Sequence, residues 1–199
     1  MTLIIMLIPV VLGYLIGSIP FGVLTGKIRG IDIRNVGSGN IGATNTYRAM
    51  GTLPAIAVLM LDLLKGTAAV YIAQLLFPLS YLIIILSGLA AVLGHMYPIF
   101  LCFKGGKGSA TSLGVLLGIS PLLFCIAIVY AVLAVAVTRY VSVTSITGVI
   151  LLSILMFAFH EPIEYALATV VITCLVIYKH VPNIQRLMKG TEPKIWGNK

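Results

Sequence analysis

The chain has 199 residues, 60% of them hydrophobic and only 9% charged, and its mean hydropathy is +1.13. Soluble domains carry about 25% charged residues, so this composition excludes a protein solvated by water alone and makes lipid part of its solvent. The net charge of +8 would suit nucleic acid in a soluble protein, but with no stacking platform or nucleic-acid motif it reads as the basic bias of cytoplasmic membrane loops.

Apolar runs occupy residues 3–26, 54–76, 80–101, 109–120, 121–138, 143–159 and 163–179. The first lacks a positive n-region and an Ala-x-Ala site, so it is expected to be a span and not a removable leader. A crossing of the ~30 Å hydrocarbon core needs ~20 helical residues, which the first three runs supply. Pro121 divides the stretch 109–138 into a short helix and a longer one. Seven spans then place segments 27–48, 104–107, Arg139 and 179–199 on one face, with twelve of the thirteen basic residues. The thirteenth, Lys65, lies inside the second span. The other face holds His160-Glu161-Pro162-Ile163-Glu164, with two of the five acidic residues and no Lys or Arg. Six spans would move Arg139 away from Lys104 and Lys107. The sequence therefore predicts an all-α polytopic membrane protein. It has seven transmembrane helices, short re-entrant or interfacial helices in the cytoplasmic loops, an outside N-terminus and a cytoplasmic C-terminus. Residues 1–199 read as a single integral membrane domain.

The first polar segment contains Gly37-Ser38-Gly39-Asn40-Ile41-Gly42-Ala43-Thr44-Asn45, followed by Arg48. Its G-x-G-x-x-G spacing is not a dinucleotide fingerprint, because an apolar span follows where a βαβ unit is required. The local physics remains. Glycines let backbone N–H groups converge on an anion, Ser38, Thr44 and Asn45 add neutral donors, and Arg48 adds a forked charged one. A flexible turn-rich loop is the plain alternative. The second segment runs from Gly94-His95 through Phe103-Lys104-Gly105-Gly106-Lys107-Gly108 to Ser109. It lacks P-loop spacing but has the form of an anion cradle at a helix start. A purely topogenic loop would need charge but not this glycine density. His95, near a span end, reads as a packed histidine.

In the third region, Ser142, Thr144 and Ser145 follow Arg139 and read chiefly as helix caps. His180 and Asn183 stand beside Lys179 and Arg186. Asp62 and Lys65 share a face of the second span at i, i+3 and read as a structural ion pair. No H-x-x-x-x-D or G-x-S-x-G motif occurs, and Asp32 and Glu192 are the only acidic residues in the basic loops. No metal or other cofactor is expected. The cysteines Cys102, Cys125 and Cys174 show no metal spacing and read as reduced, lipid-facing or packing residues.

The glycine-rich run 37–45, the run from Gly94-His95-Met96-Tyr97-Pro98 through Phe103 to Gly108, and His180 with Asn183 together resemble the bacterial acyl-phosphate-dependent glycerol-3-phosphate acyltransferase family, over essentially the whole chain. The resemblance implies transfer of an acyl group from acyl-phosphate to the 1-hydroxyl of sn-glycerol 3-phosphate, in phospholipid biosynthesis at the cytoplasmic face of the bacterial inner membrane. It implies Ser38, Arg48, Lys107, His180 and Asn183 as catalytic residues. Gly39, Asn40, Thr44, Asn45, Lys104, Gly105, Gly106 and Ser145 would bind the phosphates. A monomer is expected, with membrane lipid and the two substrates as its partners. A mixed anhydride carries a good leaving group, so the missing Ser-His-Asp triad is no obstacle. Two other readings compete. An anion transporter would place its site near the midplane between internal repeats, and no repeat is visible. A metal-dependent phosphotransferase would need more carboxylates.

Overall fold

Proline sets where the first apolar run breaks. In this computed structural model, which describes residues 2–196, helix α1 (Thr2–Gly17) ends before Ser18-Ile19-Pro20 and α2 (Phe21–Ile28) follows. Pro20 has no N–H to return to the Ile16 carbonyl, and the Ile19 N–H takes that carbonyl instead in a tighter turn, at 3.2 Å. The polar segment then forms a 3₁₀ turn (Ile33–Asn35) and a short helix α3 (Ala43–Met50). Helices α4 (Thr52–Leu76) and α5 (Tyr81–Met96) come next, then a 3₁₀ turn (Ile99–Leu101) and α6 (Ser109–Ile119). Together these make one compact unit, which ends at Ile119.

Helix α5 is the spine of that unit: Ile84, Ile85, Ala91, Val92 and Met96 are almost wholly buried. Lipid is as apolar as a leucine side chain, so helices in it associate by close packing and hydrogen bonds. The pair Gly13 and Gly17 on α1 lets that helix press against Ser87 and Ala91 of α5; a β-carbon on Gly17 would overlap the Ala91 backbone. Gly66 and Gly114 do the same between α4 and α6, against Thr111 and Leu63. Hydrogen bonds close these seams. The Ser87 Oγ lies 2.8 Å from the Pro9 carbonyl and 2.9 Å from that of Ala69, joining three helices. Thr67 donates to the Gly114 carbonyl at 2.8 Å, and Gln74 donates to that of Gly118 at 2.9 Å, where α6 runs out of intrahelical donors.

The second unit begins at Ser120. It comprises α7 (Pro121–Thr138), α8 (Val141–Ala158), α9 (Ile163–Lys179) and α10 (Val181–Met188). Helices α8 and α9 are joined by Thr173, which meets Ser153 at 2.8 Å and donates to the Val149 carbonyl at 2.9 Å. The chain bends by 55° between α9 and α10, at His180. Lys199, counted above with the basic face, lies outside the described residues.

Each of the seven apolar runs is helical, and among the described residues the regular structure is entirely helix. Five stretches are long and apolar enough to cross a membrane, or six if α9 and α10 count as one bent span. The remaining apolar helix, α6, has 11 residues. At ~1.5 Å per residue it is shorter than the ~30 Å core.

Candidate active site

In the first unit the glycine-rich segment is organised around Asn45. That side chain is buried, and its amide nitrogen donates to the carbonyls of Ile33 and Val36 at 3.0 and 2.9 Å. Its Oδ1 accepts the Ser38 N–H at 2.8 Å. All of these bonds run to the loop, so Asn45 acts on it as a buried tie. Asn40 makes a smaller one, its Oδ1 accepting the Gly42 N–H at 2.9 Å. Gly37, at φ +60°, lies against the Asn45 amide and the Arg48 stem, where a β-carbon would collide.

The loop delivers the chain into α3. The N–H groups of Ala43 and Thr44 sit in its first turn, the part of a helix that presents donors outward. Thr44 and Arg48 are four residues apart and share a face of α3. Ser38 and Arg48 are exposed, and Thr44 is partly so. Arg34 is paired with Asp32 in a two-point contact at 2.9 and 2.8 Å, which holds the Asp32 carboxyl at about 2.

The 104–108 segment folds back on the end of α5. The Gly106 N–H donates to the His95 carbonyl at 3.0 Å. Gly105 lies against that carbonyl and Pro98, Gly106 against the His95 ring, and Gly108, at φ +84°, against Met96. The glycines here are demanded by packing as much as by any ligand. Lys104 projects exposed and Lys107 half-buried on either side of this anchored pair, and α6 starts immediately after.

The second unit has its own polar cluster, centred on Glu192. Its Oε1 accepts from Ser142 Oγ and Asn183 Nδ2, both at 2.7 Å, and its Oε2 accepts from Arg186 Nε at 2.7 Å. Burial would raise the carboxyl's pKa, but the three hydrogen bonds and the guanidinium charge outweigh it and hold Glu192 below the usual glutamate range. His180 is buried, with Nδ1 2.8 Å from the Val176 carbonyl. A carbonyl only accepts, so Nδ1 carries a proton. Ser145, half-buried, stands one turn beyond Ser142 on α8.

A family profile described as glycerol-3-phosphate acyltransferase matches residues 7–190. The chain belongs to that family. The glycerol-3-phosphate acyltransferase of Aquifex aeolicus is 44% identical over 92% of this chain and 95% of its own length. That of Geotalea daltonii is 48% identical over 90% and 92%. A crystal structure of an integral membrane glycerol 3-phosphate acyltransferase, in its glycerol 3-phosphate form, superposes with TM-score 0.93 at 43% identity, covering 96% of both chains. A second structure, in the lysophosphatidic acid form, gives 0.90 at 41% identity, over 95% of this chain and 94% of the other. The chain is thus an integral membrane acyltransferase-family enzyme.

Within this family member, the sequence-predicted residues fall into two groups. Ser38, Gly39, Asn40, Thr44, Asn45 and Arg48 gather at the start of α3, and Lys104, Gly105, Gly106 and Lys107 lie between α5 and α6. His180, Asn183 and Ser145 belong to the second unit. Sequence reasoning passed over two members of that unit. In the sequence Glu192 figures only with Asp32 among loop carboxylates too few for a metal, and Ser142 chiefly as a cap. The available signal was a single acidic residue in a basic tail, six positions after Arg186.

Proposed function

We propose that the chain transfers the acyl group of an acyl-phosphate to the 1-hydroxyl of sn-glycerol 3-phosphate, releasing 1-acyl-glycerol 3-phosphate and inorganic phosphate. Likeness over 96% of both chains to an acyltransferase crystallised with glycerol 3-phosphate is the observation that carries this reading. Glycerol 3-phosphate is then the acceptor here, and lysophosphatidate the product. Bacterial relatives and the one-sided basic loops support a multi-pass protein of the bacterial inner membrane, with its N-terminus outside and its site and C-terminus cytoplasmic.

The hydroxyl oxygen attacks the acyl carbonyl carbon, and the bond from that carbon to the phosphate oxygen breaks. The hydroxyl proton passes either to His180 Nε2 or to an oxygen of the departing phosphate. Ser38, Gly39, Asn40 and Thr44 hold the phosphate of the acyl-phosphate, and Asn45 acts through the loop it ties. Arg48 and Lys107 neutralise the charge that grows as phosphate leaves. Lys104, with the Gly105 and Gly106 backbone, meets substrate phosphate oxygens. In the second unit, His180 and Asn183 orient glycerol 3-phosphate. Glu192 supports Asn183 by fixing its amide.

Purified protein given labelled glycerol 3-phosphate with acyl-phosphate, acyl-CoA or acyl-carrier protein tests the donor. The expected result is labelled lysophosphatidate from acyl-phosphate alone, undiminished by excess chelator. Product from a thioester donor, or loss of activity on chelation, would overturn the assignment.

A further inference from the structure

Asp62 and Lys65 lie within the long helix α4, only 2% and 4% exposed, with Lys65 Nζ 2.7 Å from Asp62 Oδ1. No step of the proposed reaction uses them. Such a pair is costly to bury, and replacing one with well-packed apolar residues is often neutral or stabilising. Stability alone therefore gives little reason for these charges to be there. What they touch gives a better one.

Lys65 reaches the break in the first span. It donates to the Ile19 carbonyl at 2.9 Å, beside Pro20, and lies 5.6 Å above the Phe21 ring. Asp62 reaches the other way. The oxygen that meets Lys65 also stands 3.5 Å from Nδ1 of His95, itself buried at the last turn of α5. The far side of His95 is the floor of the 104–108 segment. Its carbonyl takes the Gly106 N–H, and its ring sits so close under Gly106 that a β-carbon there would overlap the imidazole. A line of contacts thus runs from Lys65 through Asp62 and His95 to Gly106, and Lys107 is the next residue along.

We propose that Asp62, Lys65 and His95 are positioning residues for the 104–107 loop: the carboxylate fixes the imidazole, and the imidazole fixes the height and tilt of Gly106 and hence the aim of Lys107 and Lys104. The inference rests on the reading above that these lysines meet substrate phosphoryl groups. Asp62 makes no substrate contact in this scheme. If its carboxylate is lost, the imidazole turns and the loop shifts, and both lysines leave their productive places.

The test uses the detergent-purified full chain carrying Asp62→Asn, the double change Asp62→Leu with Lys65→Met, His95→Gln, Gly106→Ala and, as a control for the site itself, Lys107→Ala. The double variant removes both charges, so no lone ion is left buried. A misplaced binding group costs about ten- to a hundredfold. We expect each positioning variant to lose that much in kcat/KM for glycerol 3-phosphate, through kcat as Lys107 is misplaced and through KM as Lys104 is, while the double variant keeps a Tm within a few degrees of the parent. If both Asp62 variants fail to fold, His95→Gln and Gly106→Ala give the same reading with the ion pair left intact. Parental kcat and KM in the folded variants, beside a Lys107→Ala protein that has lost turnover, overturn the inference and leave the site reading standing. Full activity in Lys107→Ala overturns the site reading and the inference with it.

Discussion

Glu192 accepts the Asn183 side-chain N–H at 2.7 Å, so a residue of the C-terminal tail fixes the orientation of that amide. The same carboxylate also binds Ser142 and Arg186, which ties the tail to the start of α8 and the last turn of α10. A charged hydrogen bond contributes about 1.5–3 kcal/mol, and leaving a buried partner unsatisfied costs about as much. Glu192→Gln should therefore lower Tm measurably and raise the KM for glycerol 3-phosphate. Glu192→Ala should do more of both. Unchanged kinetics in a folded Glu192→Ala protein would show that Asn183 needs no such support.

The same contact makes a pH dependence. The folded carboxyl sits below its ordinary value, so the unfolded chain binds the proton more readily. The contribution to stability is complete above the ordinary glutamate value of 4.5 and disappears as pH falls through the lower folded value. Tm recorded from neutral pH downward should decline more steeply for the parent than for Glu192→Gln. Parallel curves would refute the link.

Asn45 offers a sharper substitution. Asn45→Ala strips a partner from two carbonyls and one N–H, and each orphaned buried group costs about 1–3 kcal/mol. Asn45→Asp should be nearly as harmful. It keeps an acceptor for Ser38 but turns a second oxygen toward the Ile33 and Val36 carbonyls, where only a donor fits. Acyltransferase assay and thermal unfolding of both variants check this; an active, stable Asn45→Asp would contradict the assigned orientation.

Arg48 and Lys107 should behave differently from Asn45. Neither belongs to the fully buried set, so alanine at either position should leave Tm nearly unchanged. Turnover should nevertheless fall by ~10²–10³, the usual effect of removing one charge-stabilising donor. Arg48→Lys should recover only part of it, because an ammonium cannot reproduce the guanidinium fork.

Helix packing yields a purely structural prediction. Gly114 touches the Leu63 backbone, and any larger residue there must push α6 away from α4. Gly114→Leu should abolish folded protein, judged by size-exclusion profile in detergent, whereas an equally apolar change at lipid-exposed Leu75 should not.

Much of this architecture could be read in advance, and the exceptions have physical causes. The seven apolar runs, the Asp62–Lys65 pair and the two glycine-rich segments declare themselves through hydropathy, i, i+3 spacing and local composition. The break at Ser18-Ile19-Pro20 does not, because apolar residues flank it and the average hydropathy hardly changes. Lys65, which caps that break, gave no sign of it in sequence. The role of Glu192 was hidden for another reason: it depends on the tail returning to Ser142, 50 residues earlier, and no periodicity records such a contact. The glycines of the second loop were legible as a pattern but not in cause, since their crowding against His95, Pro98 and Met96 exists only in three dimensions.

The most direct measurement is product stoichiometry in purified, reconstituted protein supplied with acyl-phosphate and labelled glycerol 3-phosphate. The account predicts one inorganic phosphate released for each labelled lysophosphatidate formed, with both lost together in Lys107→Ala. Phosphate release with no lipid product, or labelled glycerol 3-phosphate carried across the membrane unchanged, would contradict it.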